Sequence, residues 1–182
     1  MIRRVVAIAG PPGSGKSTAG RLAAAALALT YTSAGDVFRA EAKRSGLDLE
    51  AFGRYAEEHP EVDLELDRTM QSLATPGRLL DGRIQGALCR RNGTPVHYVV
   101  VTASEEERAR RVAGRDHQPV EEARRRIRER EASERLRYRA RYGIDLDSEV
   151  PDLMVDSTHL PAEAVAERLV QYVRAHDPGA GA

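Results

Sequence analysis

The sequence lacks several features that mark secreted, membrane and nucleic-acid-binding proteins. Its single cysteine, Cys89, cannot form an internal disulfide, and we expect it to be a buried or half-buried thiol. It has no apolar stretch long enough for a signal-peptide core or a membrane-spanning helix. Its 28 basic residues balance 28 acidic residues, so no net charge attracts the chain to nucleic acid or to a membrane. We therefore expect a protein of the reducing cytoplasm.

Lysine is also scarce, since it occurs only at Lys16 and Lys43 and the other basic residues are arginines. A GC-rich coding sequence produces many arginines without functional pressure, so their abundance alone is weak evidence for any function. The length of 182 residues is that of one globular domain. We predict a single domain over residues 1–182.

Short apolar runs predict the strands of a parallel sheet. Three of them, residues 5–9, 98–101 and 153–155, are largely β-branched and do not alternate with polar residues. Such runs are typical of strands covered on both faces, so we expect all three in the interior of the sheet. Shorter candidates at residues 29–33 and 79–80 supply two more strands. The sequence therefore predicts a five-stranded parallel sheet.

Helical patterns separate these strands. Ser104 and Glu107 match a capping box at the start of one helix, and Pro161 is well placed to open the last one. Strands that alternate with helices predict an α/β protein with three layers and right-handed crossovers. The stretch 120–141 differs, because its charges run all round the helix, and it predicts a solvated arm or an element that closes over a ligand. Residues 177–182 are expected to fray.

A phosphate-binding loop follows the first predicted strand. The pattern Gly-x-x-x-x-Gly-Lys-Ser lies between a strand and a helical pattern, which is the context that confirms it. Backbone N–H groups of such a loop point at the β-phosphate, Lys16 bridges the β- and γ-phosphates, and the Ser17 hydroxyl binds Mg²⁺. The alternative, a glycine-rich turn without a ligand, needs neither the lysine nor the hydroxyl. The predicted ATP site comprises Gly10, Pro11, Pro12, Gly13, Ser14, Gly15, Lys16, Ser17 and Thr18.

Ser33, Asp36 and Arg39 follow the second predicted strand, at the carboxyl edge of the sheet where ligands of α/β proteins bind. Ser33 and Asp36 either cap the next helix or contact the acceptor of a phosphoryl group, and both interpretations stay open. Arg39 lies in the first turns of that helix, from which it could reach an anionic acceptor. An isolated arginine is, however, more often a plain surface residue.

Asp81 and Arg83 flank Gly82 after the other short strand. Asp-Gly alone is a common turn. After a strand of a protein with a phosphate-binding loop, however, Asp81 is placed like a second Mg²⁺ anchor, acting through water, and Arg83 like a clamp on a phosphate. We favour the functional interpretation of this cluster.

Arg130 and Arg137 are two helical turns apart in the polar stretch, so both project from one face of the helix. A solvated helix joined by Glu–Arg pairs, such as Arg130 with Glu134, explains most of its arginines. Phosphoryl transfer nevertheless needs positive charge on the equatorial oxygens of the moving group. We therefore assign Arg130 and Arg137, with Lys16, as candidate catalytic residues on a closing lid.

The chemistry of the acceptor separates two classes of kinase. A hydroxyl acceptor generally requires a carboxylate base, whereas a monophosphate brings an attacking oxygen that is already anionic and requires cations instead. Arg39 and Arg83 fit the second class. Asp36 keeps the first class open, because it could orient or deprotonate a sugar-like hydroxyl.

The order of these motifs resembles the shorter, archaeal-type cytidylate kinases, within the nucleoside monophosphate kinases. The resemblance covers nearly the whole chain. The motifs that carry it are GPPGSGKST from Gly10, SAGDVFR from Ser33, AFGRYAEEHPEVDLELD from Ala51, DGR from Asp81, REREASERLRY from Arg128 and YGID from Tyr142.

The resemblance implies a P-loop NTPase fold with two mobile helical segments, a monophosphate-binding arm over residues 36–74 and a lid over residues 115–145. It implies Mg²⁺-dependent transfer of the ATP γ-phosphoryl group to CMP or dCMP. Arg39 and Arg83 become clamps on the acceptor phosphate, and Arg130 and Arg137 become lid arginines. The expected partners are ATP and a nucleoside monophosphate, with no stable nucleic-acid partner and no membrane, and the chain is expected to be a monomer.

The sequence departs from the family at two positions. Ile84 stands where bacterial cytidylate kinases carry an aspartate that contacts ribose and base, and Asp81 stands where the archaeal type often has glutamate. Candidates for recognising the base are Tyr55, Asp67 and Gln71, each of which is equally well explained as a plain arm residue. The alternative functions are an adenylate or other small-acceptor kinase, such as a shikimate-like hydroxyl kinase, and a nucleotide-switched module that binds RNA or a protein partner.

Overall fold

The structure is a computed structural model that describes residues 1–179, apart from the side chains of residues 49 and 50. Within this part of the chain there are five strands, β1 (Val5–Ala9), β2 (Thr30–Ser33), β3 (Arg78–Asp81), β4 (Val96–Thr102) and β5 (Leu153–Asp156). The same residues form eight helices, α1 (Lys16–Ala26), α2 (Ala34–Arg44), α3 (Leu49–Glu58), α4 (Pro60–Ser72), α5 (Gln85–Arg91), α6 (Glu105–Asp116), α7 (Val120–Tyr142) and α8 (Ala162–His176). Of these helices, none has the length and apolar character that crossing a bilayer requires.

The strands form one parallel sheet in the order β2-β3-β1-β4-β5, which confirms the predicted fold class. The chain moves to one side of β1 for β2 and β3, and to the other side for β4 and β5. Ligands of open parallel sheets bind at the carboxyl ends of the strands where the order reverses in this way. Ile8 of β1 is in register with Asp81 of β3, so the loop after β1 lies directly beside Asp81.

The prediction that residues 153–155 form an interior strand is wrong. They belong to β5, which is an edge strand, and Met154 is 59% exposed. The interior position is taken by β3, whose Leu79 and Leu80 are fully buried. The length of an apolar run was a poor guide to a strand's position in the sheet. Interior β3 has only two apolar residues between Arg78 and Asp81, because Asp81 ends the strand at the ligand-binding edge.

Helices cover both faces of the sheet, as the predicted three layers require. On one face, Val6 and Ile8 pack in an apolar cluster with α1 and with Leu169 of α8. On the other face, Ala7 and Leu80 pack with Met70 of α4 and with Cys89 of α5. Cys89 is buried, as expected, and burial raises the pKa of its thiol.

The polar helix α7 is attached to the body of the protein by two small apolar contacts. Near its start, Ala123 and Ile127 pack against Val112 of α6. Just after its end, Ile144 packs with Ile84 in the cluster that includes α5. The remainder of α7 carries the charged residues that the sequence placed in the lid. The assignments of residues 36–74 as an arm and 115–145 as a lid stay predictions.

The residues after α8 are held to the amino end of the sheet rather than frayed at residue 177. Both carboxylate oxygens of buried Asp177 accept hydrogen bonds, from the backbone N–H groups of Arg3, Arg4 and Gly179 at 2.8–3.1 Å. His97 bonds to the same carboxylate, 3.1 Å from its Nε2. The rest of the predicted tail, residues 180–182, lies outside the described residues.

We predict that Asp177→Asn lowers the free energy of unfolding at pH 7 by about 2 kcal/mol, because hydrogen bonds to a buried charged group are lost. Burial raises the pKa of Asp177, but the hydrogen bonds that its carboxylate accepts from backbone N–H groups outweigh burial and lower that pKa to about 2. A depressed pKa gives stability that is complete above about pH 4 and is lost as the pH falls toward 2. Urea unfolding of Asp177→Asn should therefore show the deficit at pH 7 and a smaller one at pH 2. The exposed Asp116→Asn is the control, and an equal deficit in both variants would contradict the prediction.

Candidate active site at the phosphate-binding loop

The loop between β1 and α1 is packed so closely that two positions admit only glycine. Gly10 has a φ of 147°, and a Cβ atom there would lie 2.0 Å from the carbonyl oxygen of Val101. Gly13 has a φ of 81°, and its Cβ would lie 2.6 Å from the carbonyl oxygen of Arg108. The loop is therefore held against β4 and α6, with its amide groups at the start of α1.

Lys16 is the first residue of α1 and is half-buried. The first amides of a helix have no carbonyl partner within it, so this end of α1 attracts anions. The pKa of Lys16 lies below its usual value, mainly because the side chain is buried. The cations Arg130 and Arg83 also lower this pKa, whereas the carboxylate of Asp81 raises it. Residues that are far apart in the sequence therefore act on one ammonium group.

The two candidate Mg²⁺ ligands are in direct contact. The Ser17 hydroxyl donates to Asp81 Oδ2 at 2.6 Å, and the Tyr31 hydroxyl donates to the same oxygen at 2.5 Å. Asp81 is only 2% exposed. A hydroxyl and a carboxylate are oxygen donors of the kind that Mg²⁺ prefers, so the pair fits this ion. Among the side chains that the structure describes, no group of three or more Asp, Glu, His or Cys could hold a metal. Mg²⁺ usually takes only one or two protein carboxylates and keeps water and substrate phosphate oxygens as its other ligands, which a single hydroxyl–carboxylate pair allows.

Arg83 and Arg130 are joined by one carboxylate. Arg83 Nε donates to Glu134 Oε2 and Arg130 Nε donates to Glu134 Oε1, each at 2.7 Å. Glu134 is 3% exposed, and although burial raises its pKa, the charges of Arg130 and Arg83 outweigh burial and lower it. The structure therefore brings a residue of the sheet edge and a residue of α7 to one point beside Lys16. The i,i+4 pair of Arg130 with Glu134 was foreseen, whereas its link to Arg83 was not.

Arg137 lies in a different environment from Arg130. Its Nη1 donates to Asp63 Oδ2 of α4 at 2.5 Å, and Arg141 donates to the same carboxylate. The two predicted lid arginines are thus bound to different elements, Arg130 toward the sheet and Arg137 toward α4. The role of Arg137 in catalysis stays a prediction.

Ser33 and Asp36 take up the capping arrangement that the sequence left open. The backbone N–H of Asp36 donates to Ser33 Oγ at 3.4 Å, which caps α2. The Asp36 carboxylate also pairs with Arg21 at 3.0 Å and with Arg39 at 2.5 Å. Burial raises the pKa of Asp36, but these two arginines outweigh burial and lower it. Contact of these residues with an acceptor stays a prediction.

We predict that Arg39→Ala raises the acceptor KM about tenfold with little change in kcat. Arg39 is 57% exposed, so its guanidinium group is open to an anionic acceptor. It would bind that acceptor equally in the ground state and the transition state, and losing such an interaction raises KM alone. Arg44→Ala is the matched control, since Arg44 lies on the same helix and also pairs with an acid three residues away. Steady-state kinetics over a range of acceptor concentrations measure both variants. Equal acceptor KM values for the two would remove Arg39 from the acceptor site.

Two arginines beside the loop were missed by sequence reasoning. Arg108 donates to the carbonyl oxygen of Pro12 at 3.3 Å, and Arg111 donates to the carbonyl oxygen of Ser157 at 2.7 Å. A Cβ at Gly15 would lie 3.5 Å from Arg111 Nη1. The available signal was their position on the helix after β4, but nothing local separated them from the other arginines of that helix.

Two of the three candidates for base recognition, Asp67 and Gln71, lie between α4, α5 and the end of α7. Asp67 accepts from Gln85 Nε2 at 2.7 Å and from the Tyr142 hydroxyl at 2.6 Å, and Gln71 donates to Gln85 Oε1 at 2.7 Å. Burial raises the pKa of Asp67. Tyr55 lies apart on α3, stacked on a histidine. Gln85 was not foreseen, because its partners are distant in the sequence.

A family profile described as an AAA domain matches residues 6–143. The cytidylate kinase of Methanocaldococcus jannaschii is 37% identical over 164 residues, which are 88% of this chain and 92% of that protein. The cytidylate kinase of Methanopyrus kandleri is 41% identical over 163 residues, which are 85% of this chain and 84% of that protein.

Solved structures share the architecture at lower identity. The shikimate kinase of Acinetobacter baumannii, in complex with shikimate, superposes with a TM-score of 0.62 at 17% identity, covering 95% of this chain and 94% of that chain. An uncharacterized protein from Eubacterium ventriosum superposes with a TM-score of 0.73 at 12% identity, covering 96% of this chain and all of that chain. At these identities the likeness concerns the fold alone.

Proposed function

The chain belongs to the cytidylate kinases, a family of P-loop nucleoside monophosphate kinases, and on that premise we propose that it transfers the γ-phosphoryl group of ATP to CMP, and also to dCMP, giving ADP and CDP or dCDP. The observation that carries this proposal is the convergence of Lys16, Asp81, Arg83 and Arg130 at the carboxyl edge of β1 and β3. The preference for cytosine is supported by the names of the relatives.

In the proposed reaction an oxygen of the acceptor phosphate attacks the γ-phosphorus of ATP, and the bond from that phosphorus to the β–γ bridging oxygen breaks. The electron pair remains with the leaving ADP. Lys16 and the amides of α1 hold the β- and γ-phosphates, Arg83 holds the acceptor phosphate, and Arg130 faces the charge on the transferring group. Catalysis is therefore by positioning and charge, without a protein nucleophile.

Ser17 and Asp81 are the residues that would hold Mg²⁺, with Asp81 acting through water. When bound, the ion would offset negative charge on the β- and γ-phosphate oxygens. Tyr31 bonds to the Asp81 carboxylate from β2 and orients it. The proposed partners are thus ATP with Mg²⁺ and a nucleoside monophosphate. We propose that the protein that binds them is a cytoplasmic monomer.

Two observations favour this proposal over its rivals. A hydroxyl kinase would need a carboxylate base, but Asp36 is bound to two arginines that lower its pKa, which makes it a weak base. An RNA-binding lid would need free arginines, but along α7 the side chains of Arg124, Arg125 and Arg128 are paired with glutamates. These pairs reduce the charge that α7 offers to a nucleic acid.

A coupled assay of ADP release across CMP, dCMP, UMP, AMP, GMP and shikimate tests the proposal. We expect the highest kcat/KM with CMP. Fastest turnover with shikimate would overturn the choice of a monophosphate acceptor, and fastest turnover with AMP would overturn the choice of base. Salt-sensitive RNA binding without turnover of any acceptor would favour the binding-module alternative.

A further inference from the structure

In the described part of the chain, the buried carboxylate of Glu134 has two hydrogen-bond partners, and both are arginines of the candidate site. Glu134 lies on α7, whereas Arg83 lies just after β3, so the carboxylate connects α7 to the edge of the sheet. Each of its oxygens accepts from a different arginine. An acid that only neutralised charge would not need this arrangement, because one arginine can satisfy both oxygens of a carboxylate.

Both arginines donate to Glu134 through Nε. Among the residues that the structure describes, no hydrogen bond is formed by the Nη groups of Arg83 or Arg130. A guanidinium group has five N–H donors in a fixed plane, so holding its Nε fixes the direction of its two Nη groups. Glu134 therefore orients both guanidinium groups and leaves their Nη donors available for phosphate oxygens.

The balance of charge gives Glu134 a second effect on the same arginines. Lys16, Arg83 and Arg130 bring three positive charges together, and Asp81 and Glu134 provide the negative charges that act on Lys16 from the same region. Without Glu134 the cations would repel one another before any phosphate had bound. Arg130 is 64% exposed and would turn into solvent, whereas Arg83 is 12% exposed and has less freedom.

We propose that Glu134 is a positioning residue, which holds the Nη groups of Arg83 and Arg130 toward the transferring phosphoryl group before substrates bind. This inference rests on the proposed function, because it assigns the two arginines to the phosphates. Glu134 acts through these arginines and through no contact with the reacting atoms.

A double-mutant cycle tests the proposal. Glu134→Gln keeps the side-chain volume but removes the charge that holds two guanidinium groups, and we expect it to lower kcat about 10- to 100-fold. In an Arg130→Ala background the same change should lower kcat less than about threefold, because Glu134 then has only Arg83 to orient. Additive losses of kcat in the two backgrounds would overturn the proposal. Glu129→Gln is the matched control on the same helix, because Glu129 forms an exposed pair with Arg125.

An NMR measurement on the free protein keeps the inference separable from the proposed function. The Nε–H signals of Arg83 and Arg130, assigned with Arg83→Lys and Arg130→Lys, should be protected from exchange with water and should lose that protection in Glu134→Gln. Unchanged signals would overturn the positioning role even if CMP is the substrate. Loss of protection without turnover of any monophosphate would overturn the proposed function and leave the positioning of the arginines standing. If Glu134→Gln does not fold, Glu134→Asp, which keeps the charge on a shorter side chain, replaces it in both experiments.

Discussion

Replacing Lys16 by alanine is expected to lower kcat by at least about 10³-fold while the thermal melt stays close to that of the original chain. Lys16 is placed by the first turn of α1, and in the proposed reaction it would act where negative charge moves from the acceptor to ADP. The loss should fall mainly on kcat, because the stabilising contact strengthens as charge develops on the β–γ bridging oxygen. Folding should be little affected, since burial lowers the pKa of Lys16 and the folded chain gains little from its charge.

The chain offers a matched control for this variant, because it contains one other lysine. Lys43 is exposed near the end of α2, away from the phosphate-binding loop. Lys43→Ala should keep kcat and KM within about twofold of the original values. Steady-state kinetics with ATP and CMP, together with thermal melts of both variants, measure the difference. Comparable activity in Lys16→Ala and Lys43→Ala would contradict the assignment of the loop to the triphosphate.

The features that sequence reasoning predicted correctly depend on short-range patterns. The phosphate-binding loop and the N-cap at Ser104 are defined within a few residues, and the structure contains both. The second bond of the predicted capping box is not formed, because the Ser104 N–H donates to Thr158 Oγ1 instead of Glu107. Asp81 was placed correctly for a related reason: it ends a strand, and the carboxyl ends of neighbouring parallel strands meet at one edge. Local signals and simple sheet topology therefore accounted for the fold class and for the position of Asp81 beside the loop, whereas the roles of these residues stay predictions.

The features that were missed depend on contacts between distant parts of the chain. The bond from Arg83 to Glu134 joins residues 51 positions apart, and the bond from Arg137 to Asp63 joins residues 74 positions apart. Helical periodicity placed Arg130 and Arg137 on one face, but it carried no information on which element that face would meet. Tertiary packing determined their partners. It also buried Arg108, on a helix where other arginines are exposed to solvent.

Arg130→Ala is the second variant for which we expect a large effect, a loss of about 10²- to 10³-fold in kcat with little loss of stability. Arg130 is the exposed member of its ion pair, at 64% exposure, so its own side chain buries little surface that the change would lose. Glu134 would still be paired with Arg83 after the change, so no buried charge is left without a partner. A thermal melt should therefore shift by a few degrees at most.

Arg126→Ala separates a specific loss from a general effect of removing charge from α7. Arg126 lies one turn before Arg130 on the same helix, is similarly exposed and is also paired with a glutamate four residues away, at 2.8 Å. Among the described residues, its partner Glu122 bonds to Arg125 and Arg126, which lie on α7 with it, and not to Arg83 at the sheet edge. We expect Arg126→Ala to keep nearly full activity in the assay with ATP and CMP, and equal losses in the two variants would remove the lid assignment. Arg130→Lys should recover only part of the activity, because lysine keeps the charge but lacks the planar guanidinium group. In the proposed reaction that group binds Glu134 through Nε and would present its Nη groups to the phosphate.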